Sequence, residues 1–355
     1  MGYGCLGLRA WRFDSFGGAD KLYLAEVERP KPASGEVLVR VAYAGVNPVD
    51  RSIISGRFQW IRLPHTPGAE FVGTVEDVGD GVGGVEAGER VLVMPNLFCG
   101  ECYYCSRGEE SSCLTNPNIE REPYLLAIHR DGGWAEWVAV PSRNLMRLPD
   151  NLDFREASTL PVDGLTAWHL LRRARPQPGE LVVVMGASGG VGSFAVQFAK
   201  IYGCGVVGVV GGEAQARALL ELGADYVVDR SEDIAHFVRS VNGGRGADIV
   251  VDPLGSATWK TSFLSLAPMG RYVTCGVLTG TTAELDILRL YSMQAEVIGS
   301  TVGSRWEMQR VLELASKNRV KPLIDSTYKF EELKSAFTRL NEHGRSGKVV
   351  LEVKG

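Results

Sequence analysis

Four thiols stand close together in residues 99–113. Cys99, Cys102 and Cys105 form two overlapping C-x-x-C steps, and Cys113 follows. That spacing can close a tetrahedral cage of thiolates around one zinc ion. A cage with four protein ligands has no open coordination position, so it braces a loop and performs no chemistry. Disulfides are the other use of such cysteines, but in a chain expected in the cytoplasm the spacing favours metal. No comparable cluster of Cys and His occurs elsewhere in the sequence. Catalysis is therefore expected at another place, without a metal ion. Cys5, Cys204 and Cys275 read as isolated buried or surface thiols.

A second constellation suits phosphate. Gly186-Ala187-Ser188-Gly189-Gly190-Val191-Gly192 lies between an apolar run at 181–185 and a helical pattern at 195–202. Backbone N–H groups at such a turn can approach phosphate oxygens closely, and the helix dipole favours the charge. Ala187, Gly189 and Gly192 occupy the three small-residue positions of G-x-G-x-x-G. Alone that motif is weak; between strand and helix in a β-α-β series it is specific. The alternative is a flavodoxin-like turn that binds no dinucleotide. Gly186, Ser188, Gly189, Gly190, Val191 and Gly192 are the expected cofactor contacts.

The tip of the next strand, 206–210, runs into Gly211-Gly212 with no carboxylate to take ribose hydroxyls; Glu213 comes late. This leaves room near Gly211 for a 2′-phosphate, with Lys200 and Arg217 as candidate partners. Either cation reads equally well as a solvated helix-surface charge. NADP(H) is favoured and NAD(H) stays open. Gly276-Val277-Leu278 and Ser300-Thr301-Val302 follow later strands at their carboxyl ends, where ligands sit in such sheets. Gly276, Val277 and Ser300 are thus expected near the nicotinamide.

The elements that must position these residues fall into two groups. At 355 residues the chain can build two cores. The opening part reads as β-rich, with strands at 37–41 and 71–75, and the cysteine lobe interrupts it as a long loop. From about 178 the rhythm becomes β-α-β: strands at 181–185, 206–210, 226–228, 248–252, 271–275 and 295–298 alternate with helices. This predicts a doubly wound parallel sheet of about six strands. Helices at 307–315 and 333–340 and a strand at 348–353 complete the tail. Net charge is −4 with no basic run, which argues against nucleic acid. No apolar stretch reaches membrane length, and the first residues lack a signal core. Gly2 invites lipidation, but Leu6 stands where Ser or Thr is needed. A cytoplasmic protein with no membrane partner is expected.

Taken together, the chain resembles the medium-chain dehydrogenase/reductase superfamily over nearly its whole length. The resemblance rests on Ala44 to Asp50, Pro67 to Gly73, the Cys₄ lobe, Gly164-Leu165-Thr166-Ala167, Gly186 to Gly192, and Gly347-Lys348-Val349-Val350. It implies an α/β fold in which a Rossmann sheet, 156–300, packs against a β-rich GroES-like catalytic domain. That domain would span 1–155, with a zinc lobe at about 96–115, and 301–355 would return to it. The resemblance also places Thr166 and Lys348 at the cofactor, although Thr166 could instead cap a helix, and it suggests a homo-oligomer, dimer or tetramer, joined through Rossmann domains.

Two branches of the superfamily are mixed in this chain. The lobe resembles zinc alcohol dehydrogenases; Asn47-Pro48-Val49-Asp50 resembles quinone oxidoreductases. Where the zinc branch carries its catalytic Cys, His and second Cys, this chain has Asn47, Ala69 and a position near Val162. Its proton-relay hydroxyl falls at Val49. Such residues cannot replace thiolates and imidazole. A site recruiting His65 is the remote alternative. Enoyl reductases of the superfamily use a Tyr where Phe58 follows Ser55-Gly56-Arg57, so their usual acid is missing.

Without a Lewis acid, charge developing on a substrate oxygen needs hydrogen-bond donors. Asn47, Arg57 and His65 are the candidates, and Asp50 is the nearest carboxylate. Each has a second reading: Asn47 holds a turn, Asp50 braces its segment, and His65 packs between prolines. Glu70 reads more readily as a structural carboxylate than as a base. The reaction expected is direct hydride transfer between NAD(P)H and a small hydrophobic carbonyl, enone or quinone. Enoyl-thioester reduction and non-catalytic NADPH binding are the alternatives.

Overall fold

The computed structural model describes residues 7–120 and 122–353. Gly2, Cys5 and Leu6 lie outside the described residues.

Six parallel strands form one sheet in the spatial order Tyr226–Asp229, Gly205–Val210, Leu181–Val184, Ala247–Asp252, Leu266–Thr274, Glu296–Gly299. Numbered along the chain this is 3-2-1-4-5-6, and the order reverses beside Leu181–Val184. The inner strands read as continuous apolar runs because helices cover both faces. Every residue of Leu181–Val184 is buried. Helix Gly190–Ile201 starts earlier than its apolar pattern predicts, with the glycines inside its first turn. Gly192 explains the close fit: a Cβ there would sit 2.4 Å from the Gly186 carbonyl oxygen.

The other sheet is antiparallel around the long strand Glu36–Val46, which pairs with Phe71–Val78, Trp137–Pro141 and Lys348–Glu352. Lys348–Glu352 also pairs in parallel with Ile324–Lys329. Its register sets Val349 opposite Val46, which brings Lys348 beside Asn47. A hairpin of Leu8–Arg12 and Tyr23–Val27 was not legible in the sequence, since neither strand carries a clear alternation of its own. Helix Arg305–Ser316 packs on helix Leu165–Ala174, on the parallel-sheet side, before the chain returns to the antiparallel sheet at Ile324. The two sheets touch at the glycine turn, where Gly347 N–H donates to the Ser188 carbonyl at 2.6 Å.

The cysteine lobe holds only short 3₁₀ turns, Cys105–Arg107 and Glu110–Ser112. Arg172 Nη2 clasps Glu109 at 3.0 Å, and the Arg305 backbone N–H donates to Glu110 Oε2 at 3.2 Å. No helix among the described residues is long and apolar enough to cross a membrane.

Candidate active site

A cleft of about 430 Å³ opens between the two sheets at the carboxyl ends of the parallel strands. Its floor is an ion cluster built by four chain segments. Strand Glu36–Val46 ends at Asn47, and Pro48 starts helix Pro48–Ile54 at the position where a missing N–H costs least. Glu70 precedes strand Phe71–Val78. Lys348 opens the returning strand. Asp163 comes from the other side of the cleft, in a single π-helical turn, Leu160–Gly164. Such turns are rare and cluster at functional sites.

The four side chains interlock. Asn47 Nδ2 donates to Glu70 Oε2 at 3.0 Å, and Lys348 Nζ donates to Asn47 Oδ1 at 2.5 Å. Lys348 Nζ also meets Glu70 Oε2, and Asp163 Oδ2 at 3.0 Å. The other Glu70 oxygen accepts the Val162 N–H at 2.7 Å and the Asp163 N–H at 3.2 Å. All four residues are buried. Burial pushes the Glu70 carboxyl up, and the Lys348 ammonium pulls it part of the way back. Burial opposes the Lys348 charge, but Asp163 and Glu70 outweigh it and raise the ammonium pKa. Gly45 leaves the space this requires, since a Cβ there would lie 2.4 Å from Glu70 Oε2.

Asp50 is a brace and does not line the cleft. Its carboxylate accepts the N–H groups of Asn47, Gly68 and Ala69 at 2.9, 3.0 and 3.2 Å. Burial nonetheless pushes its pKa up to about 7. It ties the 47–54 segment to the 67–70 turn, and each N–H left unpaired by its removal would cost about 1–3 kcal/mol. His65 is also withdrawn from the cleft. Its Nε2 donates to the Ala127 carbonyl at 2.8 Å, its Nδ1 lies 3.3 Å from Asp131, and burial lowers its pKa. The buried ring meets Phe13 edge-on. Arg57 does line the cleft, exposed near its mouth, with its guanidinium 6.0 Å from the Phe58 ring.

The glycine turn forms the opposite wall. Gly186, Ser188, Gly189, Gly190, Val191 and Gly192 all line the cleft, together with Thr166, Gly276 and Val277. Gly186 adopts φ +59°, a conformation open to glycine at little cost. A Cβ on Gly190 would lie 1.7 Å from Asp163 Oδ2, so the turn closes directly over the ion cluster. Ser300 falls short of the cleft, and Thr301 and Val302 line it instead.

The expected 2′-phosphate partners are corrected. Lys200 pairs with Asp225 at 2.8 Å, at the end of helix Gly190–Ile201 remote from the glycine turn. Arg217 is exposed on helix Glu213–Glu221, outside the cleft. Gly211 gives its N–H to Gln215 Oε1 at 2.9 Å and does not itself line the cleft. Gln215 and Arg230 do. A Cβ on Gly211 would sit 3.2 Å from Arg230 Nε, which puts this guanidinium at the strand tip. Sequence reasoning missed Arg230. The available signal was its position just after the third parallel strand, at a carboxyl end beside the second. Lys348, expected at the cofactor, lines the cleft and pairs there with Glu70 and Asp163.

The four clustered thiols are free. Their Sγ atoms all lie within 4.8 Å of one another, with Cys99–Cys105 at 3.9 Å and Cys102–Cys113 at 4.0 Å. These separations are close to the edge of a tetrahedron with ~2.3 Å zinc–sulfur bonds, about 3.8 Å. Backbone N–H groups of Cys102 and Cys99 point at sulfur from 3.3 Å, as suits thiolates. The set fits a closed zinc site. Among the described residues this is the one group of three or more Cys, His, Asp or Glu placed to hold an ion.

Residues 33–150 match the alcohol dehydrogenase GroES-like domain, and residues 190–317 match the zinc-binding dehydrogenase domain. The chain is 37% identical over 354 residues to a protein of Sulfolobus acidocaldarius named NAD-dependent alcohol dehydrogenase, covering 98% of this chain and 100% of that one. It is 39% identical to the cobalt- and zinc-bound thermostable alcohol dehydrogenase of Pyrobaculum aerophilum, with a TM-score of 0.89 and coverage of 98% and 99%. An acryloyl-coenzyme A reductase of Metallosphaera sedula is 31% identical over 327 residues, covering 92% of this chain and 95% of that one. The chain belongs to the medium-chain dehydrogenase/reductase superfamily, the nicotinamide-dependent oxidoreductases of alcohol dehydrogenase type.

Proposed function

We propose that this protein is an NADPH-preferring alcohol dehydrogenase-like reductase that works without catalytic zinc on small hydrophobic carbonyl, enone or quinone substrates. The observation that carries the reading is the fixed amide of Asn47. Lysine can only donate and an ionised carboxylate can only accept, so Oδ1 must face Lys348 and Nδ2 must face Glu70. Nδ2 has one protein acceptor among the described residues, which leaves one N–H for a substrate oxygen. Asn47, Ala69 and Val162 offer no thiolate or imidazole, so the donor set does not fit a catalytic zinc ion.

NADPH, when bound, supplies the hydride. Its pyrophosphate suits the turn from Gly186 to Gly192, and Thr166, Gly276 and Val277 line the same cleft. The carbonyl carbon accepts the hydride, its π pair moves to oxygen, and the Asn47 N–H stabilises that charge until water delivers a proton. Apolar walls such as Val46, Phe58 and Leu125 suit a hydrophobic substrate. The test is NADPH oxidation against an aryl ketone, an enone, a quinone and an enoyl thioester. Turnover of ketone or enone with label from deuterated NADPH on the accepting carbon, or turnover of quinone to hydroquinone, supports the reading. Exclusive turnover of the thioester would replace it with the second reading, to which the Metallosphaera relative lends weight. Tight binding with no turnover would leave a cofactor-binding protein.

Arg230 supports the cofactor preference, although the Sulfolobus relative is named NAD-dependent. A charge-assisted bond to a 2′-phosphate contributes about 1.5–3 kcal/mol. Arg230→Ala should raise the NADPH dissociation constant about 10- to 100-fold and leave NADH unchanged in fluorescence titration. Equal losses for both cofactors would remove Arg230 from this role.

One structural zinc per chain belongs to the proposal, supported by the thiolate geometry. So does a homo-oligomer. Strand Glu296–Gly299 ends the parallel sheet, and Ile287, Leu288 and Tyr291 beside it are all more than 60% exposed. An open edge next to apolar surface invites pairing with a second copy. Light scattering should return a multiple of 38.5 kDa, and a monomer mass at working concentration would reject it.

A further inference from the structure

We propose that Lys348 is a positioning residue that acts on the reaction through Asn47, as a protein-borne cation beneath the substrate oxygen. The proposal rests on the reading of Asn47 as the oxyanion donor and extends it to the residue that makes Asn47 effective.

Lys348 is 3% exposed, and three oxygen atoms converge on its Nζ: Asn47 Oδ1, Glu70 Oε2 and Asp163 Oδ2. The Asn47 contact has hydrogen-bond geometry, and the two carboxylates pair with the ammonium as ions. Lys348 lines the cleft with its ammonium drawn into this cluster. The groups beside the glycine turn are instead backbone N–H groups, with Arg345 nearby on the cleft wall.

The ammonium has two effects on Asn47. It fixes the rotamer, because a flipped amide would set N–H against ammonium and carbonyl against carboxylate. It also polarises the amide. A cation on Oδ1 draws electron density from the nitrogen, so the remaining N–H becomes a stronger donor. That gain is largest when the substrate oxygen becomes negative, which is the condition for a rate effect rather than a binding effect. Asp163 gives the arrangement its second anchor. It reaches Nζ from the π-helical turn, so the ammonium is held from both sides of the cleft. A Cβ on Gly45 would lie 2.7 Å from Lys348 Cε, and the narrow passage suits an unbranched stem.

The test compares Lys348→Met, Asn47→Leu and the double variant. Lys348→Met should lower kcat about 10- to 100-fold, with the substrate KM nearly unchanged and the NADPH dissociation constant unchanged in fluorescence titration. In the Asn47→Leu background the same substitution should have no further effect on kcat. Additive losses would overturn the proposal, as would an unchanged kcat or a tenfold weaker grip on NADPH. If Lys348→Met does not fold, Glu70→Gln/Lys348→Met restores the cluster's native net charge and carries the same comparison. An Asn47→Leu enzyme of native kcat would remove the underlying reading. A slow Asn47→Leu beside a native-rate Lys348→Met would remove only this proposal.

Discussion

Asn47→Leu is expected to lower kcat by about 10²–10³-fold, the loss seen when one oxyanion donor is removed. Leucine matches the shape of the amide and removes both its donors and its acceptor. In the proposed reaction, with no Lewis acid, the Asn47 N–H carries the charge stabilisation that a metal would otherwise supply. The substrate KM should change little, because the bond matters most when the oxygen is negative. Steady-state kinetics across the acceptor panel read this directly. The variant also loses its links to Glu70 and Lys348, so a thermal melt must accompany the rates. A folded variant with native kcat would move the donor role to Arg57, the other cleft-lining candidate from the sequence.

The second large effect concerns the cysteine lobe, where loss of metal should cost stability before intrinsic rate. Cys113→Ser removes one thiolate from a cage set among short turns, with ties from Arg172 to Glu109 and from the Arg305 N–H to Glu110 as its other support. Structural zinc contributes about 10–16 kcal/mol in small peptide sites, where binding and folding coincide. Only part of that reaches a whole protein, but an apparent Tm lower by about 10 °C or more is expected. Calorimetry and metal analysis by mass spectrometry would check it, with zinc falling from one per chain to none. Turnover per folded molecule should persist at 25 °C. Rapid, reversible loss of turnover on chelation, with the melt unchanged, would instead place a metal ion in the reaction.

What was legible in the sequence follows from what is local. The Cys spacing and the glycine turn constrain neighbouring atoms, and the structure gathers each where the spacing implies. The parallel strands were legible because burial on both faces demands unbroken apolar runs. Lys200 was misplaced for a geometric reason. It lies ten residues along a helix from Gly190, and at 1.5 Å per residue that carries it about 15 Å from the turn. Arg230 reaches the Gly211 strand tip from a neighbouring strand, an adjacency that no short sequence window contains. Lys348 was assigned by motif, whereas the pairing of Val349 with Val46 directs it to Asn47. Asp163 was overlooked although it offered a sign: one carboxylate inside the otherwise apolar Leu160-Pro161-Val162, which can be buried only if paired.

The coenzyme sheet is attached to the rest of the chain at two places, just before the Leu160–Gly164 turn and again between Ser316 and Ile324. A body held at two points can swing about the line joining them but resists twisting around any other. The bond from Gly347 N–H to the Ser188 carbonyl adds a third point, and three points leave no free rotation. The cleft is therefore a door with several bolts beside its phosphate turn: that amide, the Gln215 Nε2 bond to the Arg345 carbonyl at 2.7 Å, and the Lys348–Asp163 pair must all let go before it swings. The rate at which the Gly347 proton exchanges with solvent would time the opening.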